Sequence, residues 1–121
     1  MCGFLGEFTF QHNSLTESAS FEALLDLSQH RGPDASCTTR GSGFQLGFNR
    51  LAILDVSAQG NQPKESPSGR YQVVFNGELY NYQDLAETYA LTDLHSTSDT
   101  EVLIHLLDVL GVAATISLLN G

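Results

Sequence analysis

The chain has 121 residues and a net charge of −9, with only five basic residues: Arg31, Arg40, Arg50, Lys64 and Arg70. These form no cluster, which argues against nucleic-acid binding, and no apolar run is long enough to cross a bilayer. Two cysteines, Cys2 and Cys37, are too few for a disulfide framework; with an N-terminus lacking a signal-peptide pattern, they fit a reducing, cytoplasmic setting.

The length suits one domain with one core. Residues 2–10 read as a strand, with Phe4, Phe8 and Phe10 sharing a parity. Phe21, Leu24, Leu25 and Ser28 sit at helical spacing, and Ser18 or Ser20 could cap that helix. Residues 44–48 and 50–55 are apolar runs of strand character, whereas 56–69 is dense in Gly, Pro and Ser and reads as a loop. RYQVVF, at 70–75, reads as a strand broken by Asn76-Gly77, a turn signal because both residues tolerate positive φ. A helix is expected from about Asn81 to Tyr89. A second starts near Asp99, where Ser98 and Glu101 have capping-box spacing. Leu103, Leu106, Leu107 and Leu110 give it one apolar stripe, and Gly111 is its stop. A short apolar segment then runs to Leu119-Asn120-Gly121. The mixture of signals gives an α+β or layered α/β class.

Four positions have side chains suited to acyl chemistry, each with a structural reading beside the chemical one. If the initiator Met is trimmed, Cys2 carries a thiol and a free α-amine together. An amine with a pKa of about 8 can act as a base toward its own nucleophile; the alternative is a small apolar residue in a first strand. Arg50, alone between two apolar runs, is either a fork for a carboxylate or a structural ion pair. At Asn76-Gly77-Glu78, a side-chain amide and a backbone N–H could meet one developing oxyanion, or the segment is a plain turn. Asp99 is either a counter-charge for an ammonium group or a first-turn acid favoured by the helix dipole. The four histidines show no metal-ligand spacing, so no metal site is expected, and Cys37 reads as a packed thiol.

Taken in order, MCGFLG (1–6), HRGPD (30–34), NRLAILD (49–55), GNQP (60–63), VFNGELYNY (74–82) and TSDTEV (97–102) resemble the class-II glutamine amidotransferase domain of glutamine-dependent asparagine synthetases. The terminal LLNG fits the same pattern, so the resemblance runs from end to end. It implies the N-terminal nucleophile hydrolase fold, a four-layer αββα sandwich with two antiparallel sheets. It also implies glutamine hydrolysis to glutamate and ammonia, with L-glutamine as ligand. Cys2 would be the nucleophile and its α-amine the base, and Asn76 and Gly77 would form the oxyanion hole. Arg50 would grip the substrate α-carboxylate. Asp99 would hold the α-ammonium with the backbone around Gly77 and Glu78, and backbone groups of Leu51, Ile53 and Leu54 would line the pocket. HRGPD would be a structural turn near the site.

Such domains are larger than this chain, so the resemblance implies a truncated glutaminase portion. No cofactor is expected in it, because ATP and Mg belong to the family's synthetase domain, its expected partner. A missing inner strand would favour a homo-oligomer formed by edge pairing. Two other readings are a non-catalytic remnant acting as an interaction module and an amidotransferase serving a sugar or another acceptor.

Overall fold

Antiparallel strands and short helices build the structure, a computed structural model that describes residues 1–10, 13–53 and 57–121. They divide into two units. The first comprises Met1–Ala52 with Asn61–Pro63, and the second Ile53–Gly60 with Lys64–Gly121.

In the first unit, β1 (Gly3–Phe8), β2 (Ala35–Arg40) and β3 (Phe44–Arg50) form an antiparallel sheet in the order β1-β3-β2. The register pairs Gly3 with Asn49 on one side of β3 and Ala35 with Arg50 on the other. With a neighbour on both sides, β3 is buried from Gln45 to Arg50. The helix α1 (Ser18–Asp26) lies against the sheet face that carries Gly47. A Cβ there would sit 2.7 Å from a Leu25 methyl and 3.1 Å from the Phe21 ring. The missing side chain lets the helix approach closely, and Phe21 and Leu25 are buried as a result; each such burial is worth about 1.5–3 kcal/mol. Asn49, wholly buried, fastens the end of α1 to the sheet: its Nδ2 donates to the Leu25 carbonyl at 2.7 Å and to Ser28 Oγ at 2.9 Å.

Two expectations change in this unit. One strand, Phe44–Arg50, replaces the two expected over 44–55, and residues 54–56 lie outside the described residues. The residue before α1 is Glu17, and no side chain caps the helix. The shared parity of Phe4, Phe8 and Phe10 marks an exposed row, since these rings are 55%, 62% and 77% accessible. β1 is an edge strand whose other face, with Gly3, is the one covered by α1; the Gly3 Cβ position lies 2.6 Å from Ser28 Oγ.

The second unit holds a short hairpin, β4 (Lys64–Glu65) with β5 (Gln72–Val73), and three helices: α2 (Tyr82–Thr88), α3 (Asp99–Leu110) and α4 (Val112–Leu118). Only Gln72 and Val73 of the expected 70–75 strand pair, and within the expected loop residues 64–65 form β4. Asp108 of α3 ties down the hairpin loop, accepting from Ser66 Oγ at 3.1 Å, from the Ser68 N–H at 2.9 Å and from Ser68 Oγ. α3 is the centre of this unit. One side packs Leu103, Ile104 and Leu107 against Leu79 and the β5 region, while Val102 and Leu106 meet Leu85 of α2 and flanking residues of α4. Buried on two sides, α3 hides more than the expected stripe. Gly111, at φ 79°, ends it as expected, and the last apolar segment forms α4. The C-terminal residues lie along the lead-in to α2. The Tyr80 N–H donates to the Asn120 carbonyl at 2.7 Å, and the Asn120 N–H donates to Asn81 Oδ1 at 3.1 Å. Among the described residues no helix is long and apolar enough to cross a membrane.

Candidate active site

The β1–β3 register, carried one step past Gly3–Asn49, sets Cys2 beside the end of β3. There the Leu51 N–H donates to Cys2 Sγ at 3.3 Å. On its other side the Cys2 carbonyl accepts from Arg31 Nε at 3.1 Å. Arg50, the last residue of β3, is 8% exposed, and its Nη1 donates to Asn61 Oδ1 at 2.8 Å. A buried guanidinium with a fixed partner is pre-oriented rather than snorkelling.

The HRGPD turn frames this group from three directions. Arg31 holds Cys2, as above. The Asp34 N–H donates to the Arg50 carbonyl at 3.0 Å, and the Asp34 carboxylate accepts from the Ala52 N–H at 2.8 Å. Gly32 lies directly against the backbone of Asn49 and Arg50, where a Cβ would collide with the Asn49 carbonyl oxygen. The turn therefore fixes both the residue bearing the thiol and the strand end bearing the guanidinium.

In the second unit, Asn76 is half-buried and Gly77 and Glu78 are exposed. The expected positive-φ turn is absent: among the described residues positive φ occurs only at Gly69, Gly111 and Ala90. Asn76-Gly77 is a bend in extended chain. A Cβ at Gly77 would lie 2.6 Å from the tip of the Phe75 ring, which would have to shift.

Asp99 opens α3 and is 7% exposed. Its Oδ2 accepts from the Leu79 N–H at 2.9 Å, and its Oδ1 accepts from the Thr100 N–H at 2.7 Å and from Thr100 Oγ1 at 3.3 Å. The carboxylate is thus stitched to the segment that follows the Asn-Gly bend.

The capping box is half realised. Ser98 Oγ accepts from the Glu101 N–H at 3.3 Å. The Glu101 carboxylate, however, reaches past Ser98 to the His95 N–H at 2.7 Å, to Ser96 Oγ at 2.6 Å and to Lys64 Nζ at 2.8 Å. Burial pushes its pKa up, but the Lys64, Ser96 and His95 donors outweigh that and hold it below its ordinary 4.5. Hydrogen bonds from Gln45 and Thr16 lower Glu7 as well, and those from Ser68 and Ser66 lower Asp108. A folded-state pKa below the unfolded one stabilises the fold at neutral pH, and that contribution disappears as pH falls through the lower value. The thermal midpoint is therefore expected to stay level down to about pH 5 and to fall below about pH 4.5. Glu101→Gln should flatten part of that fall, as melting curves between pH 7 and pH 3 would show.

The expected site residues thus fall into two groups. Cys2, Arg50 and Leu51 belong to the first unit, and Cys2 and Leu51 are in direct contact. Asn76, Gly77, Glu78 and Asp99 belong to the second, as does Ile53, which is 73% exposed. Leu54 lies outside the described residues. Sequence reasoning missed Asn61 as the partner of Arg50, and Arg31 and Asp34 as anchors. The GNQP and HRGPD motifs were the available signals, but neither names its contact. Among the described residues no three His, Cys, Asp or Glu side chains group to hold a metal ion.

Residues 1–121 match the model of a family described as glutamine amidotransferase domain. The chain is 37% identical over 110 residues to asparagine synthetase (glutamine-hydrolyzing) 1 of Bacillus subtilis (strain 168), an alignment covering 86% of this chain and 17% of that protein. It is 32% identical over 112 residues to asparagine synthetase (glutamine-hydrolyzing) 1 of Arabidopsis thaliana, covering 93% and 19%. It is 41% identical over 95 residues to amidase chry2 of Gibberella zeae, covering 70% and 13%. The chain spans less than a fifth of the length of these relatives.

Proposed function

Because the chain belongs to the glutamine amidotransferase domain family, we propose that it releases ammonia from glutamine through a γ-glutamyl thioester on Cys2. The observation that carries this reading is the setting of Cys2. It is at position two, its sulfur meets the Leu51 N–H and its carbonyl is held by Arg31.

Removal of Met1 frees the α-amine of Cys2, which takes the thiol proton. The sulfur attacks the carboxamide carbon, and the amide electrons move onto oxygen, where the Asn76 side chain and the Gly77 N–H donate to the oxyanion. When the tetrahedral intermediate collapses, the carbon–nitrogen bond breaks and the amine returns its proton to the departing ammonia. Water then adds to the thioester, yielding glutamate and the free thiol. Arg50, pre-oriented by Asn61, binds the substrate α-carboxylate. Asp99 receives the α-ammonium: an ionised carboxylate has about four acceptor directions, and among the described residues three donors meet Asp99. The resemblance assigns backbone groups of Leu51, Ile53, Leu54 and Glu78 to substrate contact as well. The fold proposed for the domain is the αββα sandwich of N-terminal nucleophile hydrolases, which the family match supports.

The relatives' names join asparagine synthesis to glutamine hydrolysis, which supports transfer of the ammonia to a synthetase domain. One relative is named an amidase, a name that supports cleavage of an amide bond.

Intact mass and product analysis test the proposal together. The expected chain lacks Met1 and forms ammonia and glutamate in equal amounts. A processed chain that releases neither would make this a binding module rather than an enzyme. Arg50→Lys is expected to raise KM for glutamine about tenfold with kcat little changed, because a point charge replaces a two-pronged donor. Steady-state kinetics would show it, and an unchanged KM would move carboxylate recognition to another group.

A further inference from the structure

The Glu101–Lys64 pair exceeds what starting a helix requires. Closing a capping box needs only an acceptor for the Ser98 N–H, which glutamine provides as well as glutamate. In this chain Ser96 Oγ takes that N–H at 3.3 Å, leaving the Glu101 carboxylate free to reach farther back. It is 4% exposed and holds the His95 N–H, Ser96 Oγ and Lys64 Nζ at once. Lys64, its side chain only 14% accessible, is itself fixed by the Gln59 carbonyl at 2.7 Å. The lead-in 95–98 is therefore fastened to the third residue of α3, and the β4 end of the hairpin is fastened to the same carboxylate.

Asp99 lies between those two anchor points. Residues two apart on a helix project about 200° from one another, so Glu101 can fix the rotation of the first turn from one side while Asp99 leaves from the other. The Asp99 carboxylate then bonds to the Leu79 N–H, joining this turn to the segment after Asn76-Gly77. A first turn held at Glu101 thus sets where the Asp99 charge stands.

We propose that Glu101, paired with Lys64, is a positioning residue that sets the Asp99 carboxylate and thereby the preference for ligands bearing an α-ammonium group. This rests on the role given to Asp99 under the proposed function.

Calorimetric binding of L-glutamine and of glutaramate, the same acid amide without the α-amine, tests it in the Met1-processed chain carrying Cys2→Ala to prevent turnover. Glu101→Gln is expected to reduce the preference for glutamine over glutaramate about tenfold, the order by which residues without ligand contact tune a site. Glutaramate affinity should hold within about twofold. Lys64→Met, which leaves α3 untouched, should act in the same direction and decides the matter if Glu101→Gln does not fold. Equal weakening of both ligands, or an unchanged preference in both variants, would overturn the inference. Asp99→Asn separates the two claims. If it abolishes the preference while Glu101→Gln and Lys64→Met do not, the site reading stands and the positioning role falls. If Asp99→Asn leaves the preference intact, or the parent chain binds neither ligand, both fall.

Discussion

Cys2→Ala is expected to abolish glutamine hydrolysis, a loss of about four orders of magnitude or more, with glutamine affinity retained. The replaced group is the sulfur that meets the Leu51 N–H at 3.3 Å. The proposed ligand-holding groups, Arg50 with Asn61 and Asp99 with Leu79, are untouched. Binding and turnover should therefore separate completely: calorimetry reports a Kd near that of the parent chain, while coupled glutamate detection reports nothing. Cys2→Ser should recover little, because an alcohol is far less ionised than a thiol at neutral pH. Cys37→Ser, which alters a half-buried thiol in the middle of β2, should leave turnover unchanged. In the parent chain, acid quenching during turnover should trap a species heavier by one glutamyl group on the N-terminal peptide. Hydrolysis by the alanine variant would remove Cys2 from the chemistry.

The second large effect is on stability. Gly32→Ala is expected to destabilise the fold by about 3 kcal/mol, at the upper end for forcing an added methyl into a packed site. Its Cβ would strike the Asn49 carbonyl oxygen and lie 2.7 Å from the Arg50 carbonyl carbon. Those atoms belong to β3, which is paired with β1 on one side and β2 on the other, so they cannot retreat without breaking a ladder. Domains of this size are stable by about 5–15 kcal/mol, and such a loss corresponds to a fall of roughly 10 °C or more in Tm. Any relief by backbone shift would move Arg50, so glutamine affinity should fall in whatever folded protein remains. Gly43→Ala is the control, because among the described residues its Cβ would meet nothing nearer than the Thr9 carbonyl oxygen, at an ordinary 3.7 Å. Matching melting temperatures for Gly32→Ala and the parent chain would refute the argument.

These two predictions draw on different amounts of foresight. Cys2 was singled out because the chemistry proposed for it depends on position along the chain. Gly32 was legible only as part of a motif, and its reason, the nearness of Asn49, required the fold. Likewise, Ser98 and Gly111 marked the limits of α3 correctly, because caps and positive-φ stops act within one turn of the chain. The Phe4, Phe8 and Phe10 alternation gave the strand its period but could not say which face α1 would cover. The capping-box spacing at Glu101 was real, yet the carboxylate went to His95, Ser96 and Lys64, because a buried charge takes a cationic partner when the fold brings one near.

By itself the sequence determined the α+β character and the place of α2 and α3, since each depends on side-chain type or short-range spacing. Tertiary structure alone decided the company each residue keeps: Leu51 with Cys2, 49 positions apart, Asn61 with Arg50, and Leu79 with Asp99. Such pairings follow from strand register and helix packing. Those are settled by the collective burial of the whole unit, and no local stretch of chain encodes them.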